Sequence, residues 1–335
     1  MSEITPIILC ASERTGTNLL RAMMSTHSDV ASPPPCSLID VLPRQSNTYF
    51  PLMGEPHIKE LVDDAVLLTQ SHLNAWDIDI APDKVIDRMR NKSFWTMFQA
   101  MNEIYAENIG ASHWFSKEPG LFRHMYEIAL HMPNAKFIYM VRDGRDVAAS
   151  MLKKKLHETH VFNAAKHWAQ DQKFCLLALS DELIKERTLF VKYEDIIASP
   201  EKMMKDIMAF VDLDFQDSQL LFYKNNEVIA HANKSEFWKN TAKPIDSSNS
   251  GGYKKMLSSK EIEIFESVAG REMRELGYQL DSTGSKNIRL VERIIFQVVA
   301  KLRKHFNKGM SKEEITKHIK RNEVVSKISS RSFDD

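Results

Sequence analysis

The sequence predicts an α/β protein in which helices flank a P-loop-like, doubly wound parallel sheet. Three short apolar runs carry this prediction, namely Ile7–Cys10, Lys136–Val141 and Thr188–Val191. Each run is followed by polar or turn residues, as is typical of strands that are buried on both faces. Long stretches with helical patterning, mainly 83–108 and 162–185, separate the runs. Strands that alternate with helices in this way predict a parallel sheet.

The composition is that of an ordinary globular protein, because 43% of the 335 residues are hydrophobic and 27% are charged. The formal net charge is zero, so we expect no nucleic-acid partner. Three scattered cysteines, Cys10, Cys36 and Cys175, are too few for a disulfide framework and predict a reduced, cytoplasmic setting. We find neither a signal-peptide core nor a run of ~20 apolar residues, and expect neither secretion nor membrane insertion.

The chain is predicted to divide into an α/β domain over 1–285 and a basic helical extension over 286–335. A proline-rich connector, "SPPPCS", precedes a helical insertion of the domain at about 50–110. The extension carries 13 lysines and arginines against six acidic residues. One amphipathic helix is predicted there, with apolar residues at helical spacing: Val291, Ile294, Ile295, Val298, Val299, Leu302 and Phe306. We expect that helix to pack on the body and the part beyond Gly309 to be loosely attached. One alternative is that the basic helix lies at an anionic membrane, which would make the protein peripheral to its inner face, and another is that it binds a polyanionic glycan.

The first apolar run leads into "CASERTGTNLL", which fits the Walker A phosphate-binding frame with two faults. Gly16 stands where that frame has its last glycine, but Thr17 replaces the lysine and Asn18 replaces the magnesium-binding serine or threonine. Backbone N–H groups at a helix start, two threonine hydroxyls and the Arg14 guanidinium still suit an oxyanion. Loss of the lysine and the metal ligand argues against a nucleoside triphosphate. The simpler alternative is that Thr15 and its neighbours only cap the helix.

A second strand–turn–helix pattern occurs in "KFIYMVRDGRDVAASML". Arg142 ends the strand and Ser150 follows eight residues later, so the two side chains could reach one phosphate from two directions. Two anion sites on neighbouring strands predict a ligand with phosphates at both ends. The alternative interpretation of "RDGRD" is a solvated charged turn.

These motifs, together with "VKYEDIIASPEKMM", resemble the sulfotransferases that use 3′-phosphoadenosine-5′-phosphosulfate (PAPS). The resemblance is nearest to the protein-tyrosine and bacterial glycan branches and covers roughly 4–30 and 112–280. It implies PAPS as the sulfuryl donor, 3′-phosphoadenosine-5′-phosphate (PAP) as the product, and no metal. It also implies the residues that bind the donor. The loop residues Arg14, Thr15, Gly16, Thr17 and Asn18 would hold the 5′-phosphosulfate.

The resemblance places further residues around the rest of the donor. It implies that Arg142 and Ser150 grip the 3′-phosphate, that Tyr193 lies by the adenine, and that Lys254 in "NSGGYKK" adds a contact. Lys117 in "WFSKEPGLF" matches the family's lysine at the oxygen between phosphate and sulfate, so Arg14 and Lys117 are the predicted catalytic residues. Without the resemblance, Tyr193 would be interpreted as a core tyrosine and Lys117 as a surface lysine.

The general base is not assigned by the resemblance. Related enzymes often carry it in the region that matches "VASPPPCSLID", where this chain has no glutamate or histidine. Three candidates remain, namely Asp40, Glu55 and His57. Glu55 and His57 are also readily explained as surface residues.

The predicted acceptor is a hydroxyl of a glycan or glycolipid, with a protein tyrosine as an alternative. The tryptophans Trp76, Trp95 and Trp114 could stack on a sugar, but they are more simply explained as helix-packing core. Two other functions stay open from the residues alone. One is a metal-dependent nucleotide or sugar kinase, and the other is a nucleotide-binding module without catalysis.

Overall fold

The computed structural model describes residues 4–51, 55–72, 75–154, 159–234, 238–282, 287–305 and 312–330. Its sheet has five parallel strands: β1 (Thr5–Cys10), β2 (Val30–Ala31), β3 (His113–Ser116), β4 (Lys136–Val141) and β5 (Thr188–Lys192). Their order across the sheet is β2-β3-β1-β4-β5, which confirms the predicted parallel α/β fold. All three predicted strands are present. β2 and β3 were not predicted, because they are short and β3 lacks a clear apolar run.

Seventeen α-helices and five 3-10 turns occur in the described part of the chain. The helices are α1 (Thr17–Met24), α2 (Leu38–Val41), α3 (Ser46–Tyr49), α4 (Ile58–Ser71), α5 (Pro82–Arg88), α6 (Phe94–Asn108), α7 (Met125–His131), α8 (Gly144–Lys154), α9 (Val161–Ala178), α10 (Glu182–Lys185), α11 (Tyr193–Ala198), α12 (Pro200–Phe210), α13 (Asn226–Ala232), α14 (Tyr253–Met256), α15 (Ser259–Glu275), α16 (Leu290–His305) and α17 (Lys312–Ser329). The 3-10 turns are Leu42–Gln45, Leu121–His124, Asp217–Gln219, Phe222–Lys224 and Lys239–Ala242. Among the described helices, none has the length and apolar character needed to cross a bilayer.

Alternate residues of the central strands enter two separate cores. Ile8 in β1 and Tyr139 in β4 belong to one core, together with Trp168 of α9 and Phe265 of α15. Their neighbours Ile7, Leu9, Ile138 and Met140 belong to the other, which α1, α11 and α12 complete. Helices therefore cover both faces of the sheet, as continuous apolar strands require.

Two long predicted helices are each broken once by a capping side chain. The stretch 83–108 forms α5 and α6, and the Ser93 hydroxyl accepts the Thr96 N–H at the start of α6. The stretch 162–185 forms α9 and α10, and the Asp181 carboxylate accepts two N–H groups at the start of α10. Ser and Asp favour such N-cap positions over helix interiors.

The segment between β2 and β3 contains five helices, α2 to α6, joined by non-helical connections. Trp76, Trp95 and Trp114 are all buried, and their indole rings contact other aromatic side chains of this region. The three tryptophans are therefore part of the hydrophobic core, as the simpler explanation predicted, and they are not exposed for stacking on a sugar.

The C-terminal extension contains two helices, so the prediction of a single amphipathic helix is incomplete. The second, α17, packs against α4 and buries Ile328, so the prediction of a loosely attached segment is wrong. The first, α16, contacts the body through Phe296 and Ala300, while most of the predicted apolar face is exposed. Phe306, the last residue of that predicted face, lies outside the described residues.

Candidate functional site

The site lies where four adjacent strands of the sheet end. The loop before α1 follows β1, Lys117 follows β3, Arg142 follows β4 and Tyr193 follows β5. The carboxyl ends of parallel strands share one edge of a sheet, which is where ligands of such folds bind. The strand order β3-β1-β4-β5 therefore brings together residues that are far apart in the sequence.

A cavity of about 640 Å³ opens at this edge, within the usual range for sites that hold small molecules. Its wall includes Arg14, Gly16, Thr17, Asn18, Lys117, Arg142 and Tyr193. Seven of the ten predicted site residues thus line one cavity. The remaining lining residues are Glu13, Leu19, Pro119, Ile197, Trp238, Asn240, Thr241, Lys243, Pro244, Ile245, Asp246 and Asn249.

The first loop turns sharply from β1 into α1. Arg14 and Gly16 both have positive φ, at 64° and 96°, and Gly16 is the residue before the first turn of α1. A Cβ atom on Gly16 would overlap the Tyr193 ring, so only glycine allows this close approach. The first turn of α1 faces the cavity with its N–H groups and positive dipole end.

Thr15 and Ser150, two predicted donor-binding residues, do not line the cavity. The Thr15 side chain is fully buried, and its hydroxyl donates to the Ser12 carbonyl oxygen at 2.8 Å. The Ser150 hydroxyl accepts from Arg14 Nε at 3.1 Å. Ser150 therefore orients the first arginine of the site and lies one hydrogen bond behind the cavity wall.

Arg142 connects three parts of the site. Its Nη1 donates to the Arg14 carbonyl oxygen at 3.3 Å, and its Nη2 donates to the Asn249 carbonyl oxygen at 3.1 Å. The guanidinium lies over the Tyr193 ring, 4.4 Å from its centroid, and Asn249 Nδ2 donates to the Tyr193 hydroxyl at 2.8 Å. Arg142 Nε is buried and has no hydrogen-bond partner among the described residues.

The two guanidiniums of Arg14 and Arg142 repel each other in this half-buried setting. Burial lowers the pKa of Arg14, and the nearby Arg142 charge lowers that pKa further. A cluster of this kind attracts anions, because a negative ligand offsets the repulsion between the two guanidiniums.

The turn "RDGRD" is a buried network, so its interpretation as a solvated charged turn is wrong. Arg145 forms ion pairs with Asp143 at 2.7 Å and with Glu266 at 2.6 Å. Asp146 accepts the N–H groups of Gly251 and Tyr253, both at 2.8 Å. These bonds fix the 249–253 loop and with it the Asn249 carbonyl that Arg142 contacts.

Lys117 has an ammonium group without a hydrogen-bond partner among the described residues. Burial lowers its pKa to about 8, although the adjacent Glu118 raises it. Burial also raises the pKa of Glu118, to about 7. The Glu118 carboxylate accepts the Cys36 N–H, while Arg321 of α17 donates to the Cys36 carbonyl at 2.9 Å. These two side chains clamp the loop after β2, beside Lys117.

The three candidate bases lie outside the cavity wall. The Glu55 side chain is 91% exposed and pairs with Lys92 at 3.9 Å. His57 is the residue before α4, where its N–H donates to the Tyr49 carbonyl. Asp40 is partly buried near Gly120, and burial raises its pKa. Lys254 is also outside the wall, and its Nζ lies 3.4 Å from Asp281.

Sequence reasoning missed His231 and the wall segment 238–249. The His231 ring lies against Trp238, with centroids 4.7 Å apart, and Trp238 lines the cavity. His231 Nε2 is buried without a hydrogen-bond partner among the described residues. Burial lowers the pKa of His231 to about 3, and the charges of Arg21, Lys234 and Lys117 lower it further. No motif marks this histidine, since α13 is only seven residues long and carries no other candidate site residue near it.

Comparison with known proteins gives one family. Residues 6–217 match the model of the sulfotransferase family. A protein-tyrosine sulfotransferase of Drosophila melanogaster is 24% identical over 223 residues, which are 65% of this chain and 40% of that protein. Protein-tyrosine sulfotransferase 1 of Danio rerio is 24% identical over 216 residues, which are 62% of this chain and 53% of that protein. The chain thus spans about half the length of these relatives.

Two solved structures share the fold. One is the sulfotransferase domain from the curacin biosynthetic pathway, with a TM-score of 0.58 and 22% identity over 84% of this chain and 99% of that one. The other is the sulfotransferase domain of the Synechococcus PCC 7002 olefin synthase, with a TM-score of 0.51 and 18% identity over 79% of this chain and 94% of that one. At these identities the similarity establishes the fold.

The contact between Gly16 and Tyr193 predicts a large effect for a single methyl group. We expect Gly16→Ala to lower the free energy of unfolding by roughly 1–2 kcal/mol through its positive φ and by about 1–3 kcal/mol more through overlap with the Tyr193 ring. Gly110→Ala is the matched control, because Gly110 also has positive φ but nothing within 4 Å of its Cβ position. Urea unfolding of both variants measures the difference, and equal losses would show that Tyr193 does not pack as described.

Proposed function

Because the chain belongs to the sulfotransferase family, we propose that it transfers the sulfuryl group of PAPS to an acceptor hydroxyl. One observation carries the proposal. Arg14, Arg142 and Lys117 converge on one cavity, at the start of a helix whose loop has lost the Walker lysine and the magnesium ligand. This arrangement suits an anionic ligand with charge at two ends, and it disfavours a kinase.

The residues of the cavity fit the donor. The first turn of α1 and Arg14 would hold the 5′-phosphosulfate, and Arg142 would hold the 3′-phosphate. The buried Arg142 Nε, which lacks a partner among the described residues, is a donor that a phosphate oxygen would satisfy. Ser150 supports both ends indirectly. Its hydroxyl accepts from Arg14 Nε, and the Arg14 carbonyl oxygen accepts from Arg142 Nη1. Tyr193 would line the adenine end.

Lys117 has the properties that the leaving group requires. The bound donor supplies a sulfuryl group on a phosphate oxygen that gains negative charge as the S–O bond breaks. A lysine with a free ammonium can stabilise that charge without reorganisation. Lys117 is partly exposed and lines the cavity, whereas Glu118 next to it is held in the loop clamp and does not line the cavity. The ammonium is therefore available to the ligand.

We propose His231 as the base, because its ring packs against Trp238 of the cavity wall, although His231 is not itself a wall residue. It is neutral at physiological pH, since burial and three cationic neighbours lower its pKa to about 3, and its buried Nε2 lacks a partner among the described residues. The negative charges of a bound donor would oppose the charge of Lys117, and so raise the pKa of His231 toward the range that proton abstraction needs. Donor binding would thereby activate the base.

The acceptor that we propose is a hydroxyl of a glycan or glycolipid. The alternative is a protein tyrosine, which the similarity to protein-tyrosine sulfotransferases supports. Transfer of label from ³⁵S-labelled PAPS to glycans, glycolipids and tyrosine peptides distinguishes the two classes directly.

Donor binding separates this proposal from a kinase. We expect PAP to bind without magnesium and at least tenfold more tightly than ADP with magnesium in isothermal titration. Arg142→Ala should weaken PAP at least tenfold, or ~1.4 kcal/mol, because it removes the contact to the 3′-phosphate. Arg271→Ala, an exposed arginine of α15 outside the cavity wall, is the control and should bind PAP normally. Tighter binding of ADP with magnesium would overturn the proposal.

Loss of Lys117 should affect turnover more than binding. We expect Lys117→Ala to lower kcat by ~10²–10³-fold, as removal of one transition-state donor does. PAP affinity of the unmodified enzyme should also fall as pH rises through about 8, because the free Lys117 loses its proton there. Lys117→Arg should abolish that pH dependence, since arginine stays charged. An unchanged kcat in Lys117→Ala would show that Lys117 does not stabilise the leaving oxygen.

His231 predicts a change in turnover without a change in donor affinity. We expect His231→Asn to lower kcat by at least ~10²-fold, while PAP binds within a factor of about two. The acidic limb of the kcat profile at saturating PAPS should disappear in this variant. His131→Asn, in α7 and outside the cavity wall, is the control. A retained acidic limb in His231→Asn would assign the base to another residue.

A further inference from the structure

Helix α16 is attached to the body by one face. Phe296 stacks on the His160 ring, with centroids 4.6 Å apart, and Ala300 is buried. The Ala300 carbonyl accepts the Thr159 hydroxyl at 2.7 Å, and Gln297 Nε2 donates to Asn163 Oδ1 at 2.9 Å. These contacts fix the rotation of the helix about its own axis.

The fixed rotation leaves a stripe of large apolar side chains in solvent. Each of the six is between 51% and 70% exposed: Leu290, Val291, Ile294, Ile295, Val298 and Leu302. Their spacing places them on a single face of the helix. A row of this kind differs from the scattered exposed apolar residues of an ordinary surface, and it marks a surface that binds something apolar.

The charges of the same helix indicate the occupant. Arg289, Arg293 and Lys301 are exposed, and Arg293 and Lys301 lie on the Leu290 side of the stripe in helical projection. Glu292 is the only acidic residue of α16. A second copy that docked stripe to stripe would bring these cations together, whereas a surface of anionic lipid would complement them.

We propose that α16 is an interfacial helix that binds anionic membranes. The apolar stripe enters the boundary between headgroups and acyl chains, and the adjacent arginines and lysine contact lipid phosphates. The assignment is independent of the donor cavity, because none of the residues of the stripe lines it. It would hold for a nucleotide-binding module as much as for an enzyme.

Vesicle flotation of the full chain tests the proposal. We expect the protein to float with vesicles of phosphatidylcholine and phosphatidylglycerol in a 7:3 ratio, and to bind pure phosphatidylcholine at least tenfold more weakly. Ile294→Asp/Val298→Asp should lower binding to the anionic vesicles at least tenfold. Arg289→Gln/Arg293→Gln/Lys301→Gln should lower it by a similar factor, and its effect should be largest at low salt.

Two exposed leucines elsewhere provide the matched control. Leu130 and Leu183 are 78% and 72% exposed, so Leu130→Asp/Leu183→Asp adds the same charges to other apolar positions and should leave flotation unchanged. Circular dichroism and PAP titration check that all variants fold. No flotation, or equal binding to both vesicle types, would overturn the proposal. A dimer in sedimentation velocity would also overturn it, if Ile294→Asp/Val298→Asp dissociates that dimer and Leu130→Asp/Leu183→Asp does not, because the stripe would then bind a second copy.

Discussion

The guanidiniums of Arg14 and Arg142 lie at one edge of the sheet, close enough to repel each other, and the other features of the site serve to hold them there. Ser150 fixes Arg14, and the Tyr193 ring and the Asn249 carbonyl fix Arg142. The buried Asp143–Arg145–Glu266 network keeps the turn that follows Arg142 rigid. The repulsion between these two like charges raises the free energy of the empty site, and a bound anionic ligand would lower it. The site is therefore prepared for a ligand before that ligand arrives.

The same electrostatics connects donor binding to catalysis. Lys117 and His231 both have lowered pKa values, mainly through burial and in part through neighbouring cations. A bound anion would favour the charged form of each, which strengthens Lys117 as a cation and His231 as a base. Under the proposed function, one binding event would thus prepare both groups, in a site whose loop has Thr17 and Asn18 in place of the Walker residues.

Local patterns in the sequence predicted the frame and seven of the residues that line the cavity. The apolar runs at β1, β4 and β5 are long enough to be recognised, and the residues that follow them carry the charge. β2 was missed because two residues give no periodic signal. Ser150 was predicted at the phosphate itself, but the sequence cannot show that its hydroxyl is already paired with Arg14. His231 and the 238–249 wall were missed because only tertiary packing brings that wall segment to the cavity and His231 against Trp238. The face of α16 that contacts the body could not be predicted either, since it is set by contacts of Phe296 and Ala300 with distant residues.

A crystal structure with bound PAP would show whether the two ends of the cavity bind the two phosphates, because the distances to both phosphates are measured at once. We expect the 3′-phosphate within hydrogen-bond distance of Arg142, and the 5′-phosphate at the first turn of α1 beside Arg14 and Lys117. A nucleotide bound in the opposite direction, or bound away from these residues, would contradict it.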